Sequence, residues 1–169
     1  MAIKKKVKIT KTAVKKPKTA LRKDGVNVKI KLLNPEKIGT PTKGTTGAAA
    51  YDLQANLESE LTLIPHAQGK IATGIALEIP EGYHGEVTLR SGVSASGLVL
   101  TNSIGIIDSD YRGEIFLSLS NTGRSILKIA PYDRIAQIIF KKNEDAHFEI
   151  VAELSETVRG EKGFGSTGV

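Results

Sequence analysis

Cysteine is missing from all 169 residues, which excludes disulfides and thiolate metal centres. The three histidines, His66, His84 and His147, are scattered and make no metal-ligand spacing. No apolar run is long enough to span a membrane as a helix, and no secretory hydrophobic region follows the first residues. No internal repeat is visible, and no window of helical length keeps a 3.6-residue period. No serine sits in a nucleophile-elbow pattern. The terminal "GFGSTG" has no lysine before its Ser-Thr pair, so it is not a Walker loop.

Charge is unevenly placed. The net charge of +6 hides a basic arm. Residues 1–24 carry ten basic residues against Asp24, a balance of +9, whereas the remainder holds 14 basic and 17 acidic residues, a balance of −3. The arm, "MAIKKKVKITKTAVKKPKTALRKDG", has little apolar content and reads as disordered when alone, over residues 1–25. Phosphate neutralisation on a nucleic acid or another polyanion suits it, "KKPK" suits a nuclear address, and a solubilising tail accounts for it equally well.

From Val26 the texture changes. "VNVKIKLL" alternates apolar and polar, the period of a half-buried strand. Similar runs follow in "LTLI", "KIATGIALEI", "GEVTLR", "LVL", "EIFLSLSN", "ILKIA", "RIAQIIF" and "HFEIVAEL", separated by the turn stretches "IPEGYHG", "NTGRS", "APYD" and "KKNEDA". In "EIFLSLSN", Ile115, Leu117 and Leu119 share one face. Many short strands at turn-limited spacing predict an all-β sandwich or barrel over residues 26–154.

Four internal stretches and the chain end carry residues suited to chemistry. "AAAYDL" puts Asp52 at the start of an otherwise apolar strand, where an acid must find partners or cap a turn. "RSGVSASG" offers a guanidinium, a hydroxyl and an open backbone N–H at Arg90, Ser91 and Gly92, a set suited to phosphate oxygens and also to an ordinary turn. "NSIGIIDSDYRGEI" predicts a β-hairpin with Asp108 and Tyr111 at its mouth; a carboxylate there suits a general base for water, or simply makes the turn. In "YDRIAQIIF", Arg134 and Gln137 interrupt a buried-looking strand, as polar residues of an edge strand also do. The ending "RGEKGFGSTGV" is a frayed tail, or a glycine-rich loop that approaches an anion and lays one ring on something flat. Water, carboxylates, arginines and glycine-rich anion loops together suit hydrolysis of a phosphoanhydride, with Mg²⁺ brought in by the phosphates.

Taken in order, "AAAYDL", "RSGVSASG", "NSIGIIDSDYRGEI", "DRIAQII" and "RGEKGFGSTG" make the chain resemble the homotrimeric dUTP diphosphatases from Val28 to Val169. The resemblance implies an all-β subunit, a distorted jelly-roll or β-clip barrel, with a mobile C-terminal arm over residues 155–169 and active sites shared between subunits. It implies hydrolysis of dUTP to dUMP and pyrophosphate in the cytoplasm, or the nucleus of a eukaryotic or viral host. Asp108 becomes the base for water attacking the α-phosphorus, Tyr111 the ring that leaves no room for a 2′-OH, and Asn102 part of a Leu98–Tyr111 hairpin that reads uracil. Arg90, Ser91, Gly92 and Gln137 hold phosphates, and Asp52 is a supporting acid near the waters of a Mg²⁺ that has no direct protein ligand. Arg134 falls on a motif position without a fixed role. Arg159, Gly165, Ser166 and Thr167 engage the triphosphate while Phe164 stacks on the base. The sequence departs from the family pattern at Ala50, Leu89, Tyr132 and Lys162, and its second motif has no lysine and is one residue shorter. A dCTP deaminase of the same fold and a non-catalytic binding protein on it are the alternatives; "IDSDYRG" supplies the diphosphatase pattern, and a deaminating glutamate is expected in the first of these instead.

Overall fold

A computed structural model describes residues 25–163. Ten strands are seen among them: β1 Lys29–Leu32, β2 Tyr51–Gln54, β3 Leu61–Leu63, β4 Gln68–Glu78, β5 Tyr83–Leu89, β6 Leu98–Leu100, β7 Gly105–Ile107, β8 Glu114–Asn121, β9 Leu127–Ile129 and β10 Arg134–Lys142. One four-residue helix, α1 Ser91–Ser94, follows β5. The strands form two four-stranded sheets, β1-β4-β8-β6 and β2-β10-β5-β7, and a two-stranded piece, β3-β9. Every ladder is antiparallel. The fold is all-β, a distorted jelly-roll.

The core lies between the two large sheets, and alternation decides which residues reach it. Ile115, Leu117 and Leu119 of β8 are 1%, 1% and 0% exposed, as their shared face requires. They meet Leu53, Val87, Ala136 and Ile138 from the second sheet in one continuous cluster. β4 is long because it serves two partners. Its first half pairs with β8 and its second with β1, with a register shift between Ala72 and Ala76. Gly74 sits in that shift at φ 72, and a Cβ there would come within 2.8 Å of Ile38. Both the dihedral and the space demand glycine.

Two expectations are corrected. "HFEIVAEL" forms no strand: residues 143–150 carry no regular structure, and Phe148, Ile150 and Leu154 are 96%, 101% and 87% exposed. Alternation makes a strand only where a neighbouring backbone completes the ladder. The Asp108 turn is not the mouth of a hairpin, because β7 belongs to the second sheet and β8 to the first; Leu98–Tyr111 likewise splits, since β6 pairs with β8 and β7 with β5. Of the two readings of "YDRIAQIIF", the buried strand holds over the edge strand, since β10 pairs with β2 on one side and β5 on the other.

One buried amide ties the end of β8 to its surroundings. Asn121 is fully buried. Its Nδ2 donates to the carbonyls of Leu63 at 2.9 Å and Ser125 at 2.8 Å, and its Oδ1 accepts from the Gly123 N–H at 3.0 Å. Truncation strands the buried Leu63 carbonyl and removes the bonds to the partly solvated Gly123 N–H and Ser125 carbonyl, at about 1–3 kcal/mol for a buried group left unsatisfied, beside the space left by the lost side chain. Asn121→Ala is therefore expected to lower stability by roughly 3 kcal/mol, with Asn121→Asp no better because a carboxylate faces two carbonyl oxygens. Thermal or urea unfolding checks this, and an unchanged midpoint in either variant refutes it.

Candidate active site

Pairing of β2, β10 and β5 sets three polar residues in one row: Asp52 opposes Gln137, and Gln137 opposes Thr88. Their neighbours Leu53, Ala136 and Leu89 point the other way into the core. The Gln137 Nε2 donates to the Thr88 hydroxyl at 3.4 Å. Arg90 lies two residues beyond Thr88, on the same face by strand alternation. Its Nε meets the Asp52 Oδ1 at 3.1 Å, and Arg134 meets the Oδ2 at 3.3 Å. The Asp52 side chain is only 7% exposed, so this carboxylate is buried and each oxygen faces a cation. Arg90 also donates to the Arg134 carbonyl at 3.1 Å.

Beyond Arg90 the chain turns into α1, leaving Ser91 and Gly92 exposed, with open space around Gly92. Arg90, Gly92 and Arg134 line an open cavity of about 450 Å³ together with Lys128 and Asp133. This cluster joins Asp52, Arg90, Ser91, Gly92 and Gln137, all expected from the sequence. It adds Arg134 as the second partner of Asp52, and Thr88, which the i, i+2 spacing to Arg90 makes recognisable.

Asp108 lies elsewhere. It follows β7 as the chain crosses between sheets, and its side chain is exposed. The crossing is braced. The Tyr111 N–H donates to the Asp108 carbonyl at 3.2 Å, and the Arg112 guanidinium to the carbonyls of Ser109 at 2.6 Å and Tyr111 at 3.0 Å. The Tyr111 hydroxyl donates to the Glu114 carbonyl at 2.9 Å. Asp108, Asp110 and Arg112 line a second cavity, of about 630 Å³, with Glu81, His84 and Asn143. His84 Nδ1 is 2.6 Å from the Asn143 Oδ1. Lys141, hydrogen-bonded to Glu86, holds that carboxyl below its ordinary range, and His84 adds to the effect. No pattern in the sequence singled out His84. Asn102 sits in the β6–β7 turn, with its amide over Gly105.

Within one chain these two groups do not meet. Asp108 follows Ile107, which opposes Gly85, so Asp108 is level with His84, and Arg90 is six residues further along the same strand direction. At about 3.3 Å per residue that is roughly 20 Å. Arg159 joins neither group, since its Nε donates to the Lys162 carbonyl at 3.1 Å, within its own turn. Phe164, Gly165, Ser166 and Thr167 lie outside the described residues, as do residues 1–24.

Of the departures from the family pattern, Tyr132 has the clearest structural signature. It holds φ 66, the left-handed region where glycine is favoured. Its backbone is clamped by the N–H donating to Ala55 at 2.8 Å and its carbonyl accepting from Gln54 at 3.1 Å. The ring packs against the core, and Lys37 lies 5.9 Å from its centroid.

The Asp52 arrangement generates a prediction. Asp52→Asn keeps the shape but leaves two guanidiniums facing a neutral amide. With both arginines partly solvated, the stability cost is expected at about 1–3 kcal/mol. Arg90 should lose its fixed direction, so affinity for phosphate-bearing ligands should fall as well. Calorimetric unfolding beside phosphate-ligand titration checks both; a variant unchanged in either refutes the assignment.

Comparison with known proteins agrees with this geometry. A family model described as dUTPase matches residues 36–168. A deoxyuridine 5′-triphosphate nucleotidohydrolase of Desulfitobacterium hafniense is 44% identical over 149 residues, covering 86% of this chain and 99% of its own. One from Orientia tsutsugamushi is 42% identical over 130 residues, covering 76% and 88%. Among solved structures, the dUTPase of Staphylococcus bacteriophage 80alpha with dUpNHpp superposes with a TM-score of 0.75 at 29% identity, over 85% of this chain and 99% of that one. Motifs, fold and relatives agree: the chain belongs to the dUTPase family.

Proposed function

We propose that the protein hydrolyses dUTP to dUMP and pyrophosphate, limiting uracil incorporation into DNA and supplying dUMP for thymidylate synthesis. The observation that carries this reading is the exposed Asp108 carboxylate on a braced crossing beside Tyr111. Asp108 takes a proton from water as the water oxygen bonds to the α-phosphorus. The bond from that phosphorus to the α,β-bridging oxygen breaks, and pyrophosphate leaves with the electron pair. Arg90, Ser91, Gly92 and Gln137 hold phosphate oxygens. Asn102 and its turn read the uracil, Tyr111 lies against the deoxyribose, and Phe164 stacks on the base. Arg159 with Gly165, Ser166 and Thr167 engages the triphosphate. The alternative of a deaminase has no support in the relatives named above, and an intact set of hydrolytic groups speaks against a purely binding role.

The roughly 20 Å between Asp108 and Arg90 supports a shared site, in which one copy supplies the base and its neighbour the phosphate cradle. A homotrimer meets that need. Exposed Phe148, Ile150 and Leu154 on a segment without ladder partners are what a neighbouring copy would cover. The metal travels with the substrate. Both Asp52 oxygens face arginines, so this carboxylate would act on the metal's waters only from behind them. Mg²⁺ held through the triphosphate would supply charge neutralisation there. No helix among the described residues is long and apolar enough to cross a membrane, and a cytoplasmic place suits a nucleotide hydrolase. The domain division follows the same reading: a basic arm over 1–25, the all-β body over 26–154 and a catalytic arm over 155–169.

Asp108→Asn should lower kcat by about 10²–10⁴-fold while dUTP still binds, measured as pyrophosphate release beside nucleotide titration. A near-normal kcat refutes the base. Mixing inactive Asp108→Asn and Arg90→Ala proteins, then allowing subunits to exchange, should restore about a quarter of parental activity, because random assembly gives that share of sites both intact halves. No recovery despite exchange refutes the shared site.

The arm is proposed to contact polyanions. Deleting residues 1–24 should leave kcat/KM for dUTP unchanged and abolish retention on DNA at low salt. Full-length protein that ignores DNA at low salt shows the arm to be a solubilising tail.

A further inference from the structure

Gly113 lies directly beneath the Tyr111 ring. A Cβ built on Gly113 would overlap the tyrosine hydroxyl and come within 2.5 Å of Cζ and 3.0 Å of Cε2. Both are closer than side-chain atoms approach. Gly113 is not among the glycines with positive φ, Gly25, Gly74, Gly82, Gly97 and Gly160. Its backbone is therefore open to any residue, and what the position requires is space. The ring is held at three points. Its N–H donates to the Asp108 carbonyl, its hydroxyl donates to the Glu114 carbonyl, and the hydroxyl end of its ring occupies the space where a Gly113 Cβ would be.

The platform under the ring is itself fixed to the body. The Glu114 carboxylate accepts the Gly74 N–H at 2.7 Å, and Glu114 opposes Ala76 in the ladder. Ile115, next in the chain, is 1% exposed, and its carbonyl accepts the buried Thr73 hydroxyl at 2.8 Å. Yet Tyr111 remains 43% exposed, so one side of the ring is free to meet a ligand. An exposed aromatic side chain in a loop ordinarily samples several rotamers. Here the fold selects one before any nucleotide arrives.

We infer that Gly113 is a specificity-determining positioning residue: by lacking a side chain it lets the hydroxyl end of the Tyr111 ring close onto the 113–114 backbone, and that position sets how strongly the site rejects a ribose. The inference rests on the reading that Tyr111 faces the sugar. A methyl group at residue 113 lifts the ring, breaks its bond to the Glu114 carbonyl and drives it toward the sugar or out of the way. Either movement alters a steric test that discriminates one hydroxyl group.

The experiment compares kcat/KM for dUTP and UTP in the parent, Gly113→Ala, Tyr111→Ala, Tyr111→Phe and the Gly113→Ala/Tyr111→Ala double variant. Nucleotide-free protein labelled with 3-fluorotyrosine gives a direct ¹⁹F signal for the ring, assigned by its loss in Tyr111→Phe. Gly113→Ala should shift that signal without ligand and reduce the dUTP-to-UTP preference on the order of ten-fold, the scale expected for sub-ångström to ångström misplacement. Adding Gly113→Ala to Tyr111→Ala should change the preference little, because a residue acting through the ring has nothing left to act on. A full effect in the Tyr111→Ala background, or an unmoved preference in Gly113→Ala, overturns the inference while leaving the role of Tyr111 intact. An unmoved preference in Tyr111→Ala itself instead refutes the sugar-facing reading. Should Gly113→Ala fail to assemble, recovery of folded protein in the double variant reports the clash between Cβ and ring. Tyr111→Phe, which loses the Glu114 anchor, then decides: a lowered preference supports the inference and an unchanged one overturns it.

Discussion

A buried carboxylate between two guanidiniums is the interaction on which the rest of the site depends. Asp52 is nearly inaccessible to water, yet it is charged on both sides by Arg90 and Arg134. Burying an acid without partners is costly, so the pairing and the burial require one another. The pairing in turn requires register. Asp52 opposes Gln137 across β2 and β10, while Arg90 continues β5 on the other side. A slip of one residue in either ladder would turn Leu53 or Ala136 out and the polar row into the core. The hydrophobic core and the polar cluster thus enforce the same alignment.

That alignment also explains why one chain holds two incomplete groups. Antiparallel pairing lays β7 along β5, which fixes Asp108 toward the Gly85 end and leaves Arg90 at the opposite end. No side chain spans the interval. The proposed association of copies would join opposite ends of the same sheet without new local structure. The segment after β10 bears on the same point. Its apolar residues alternate, but its backbone has no ladder partner in the single chain.

Rigidity is concentrated where the chain crosses between sheets. The 108–114 segment forms no strand until Glu114, yet its carbonyls accept from Tyr111 and Arg112, and Glu114 reaches Gly74 in the β4 bulge. The cost is carried by glycine at two places for different reasons: Gly74 for its dihedral and its space, Gly113 for space alone. Tyr132 shows that a non-glycine residue takes a left-handed conformation when its backbone is clamped on both sides and its ring has core to pack on.

Most strands were legible in the sequence because alternation is a local signal: eight of the nine quoted runs contain a described strand, among them the β8 face of Ile115, Leu117 and Leu119. The candidate site was legible as motifs, through residues whose spacing matches a family. "HFEIVAEL" was misread because a strand is completed by a second backbone that no local pattern contains. The hairpin at Asp108 was misread because a turn signal states that the chain reverses, not which sheet receives it. Sequence alone thus determined the strand texture, the inward faces, the basic arm and the chemical groups available. Only the tertiary structure decided that Asp52 binds two arginines, that β10 is central, that Asp108 and Arg90 lie at opposite ends of one strand direction, and that Gly113 makes room for Tyr111. Each of these depends on residues brought together from distant strands or around a three-dimensional crossing, and such contacts are fixed by packing and register rather than by neighbouring letters.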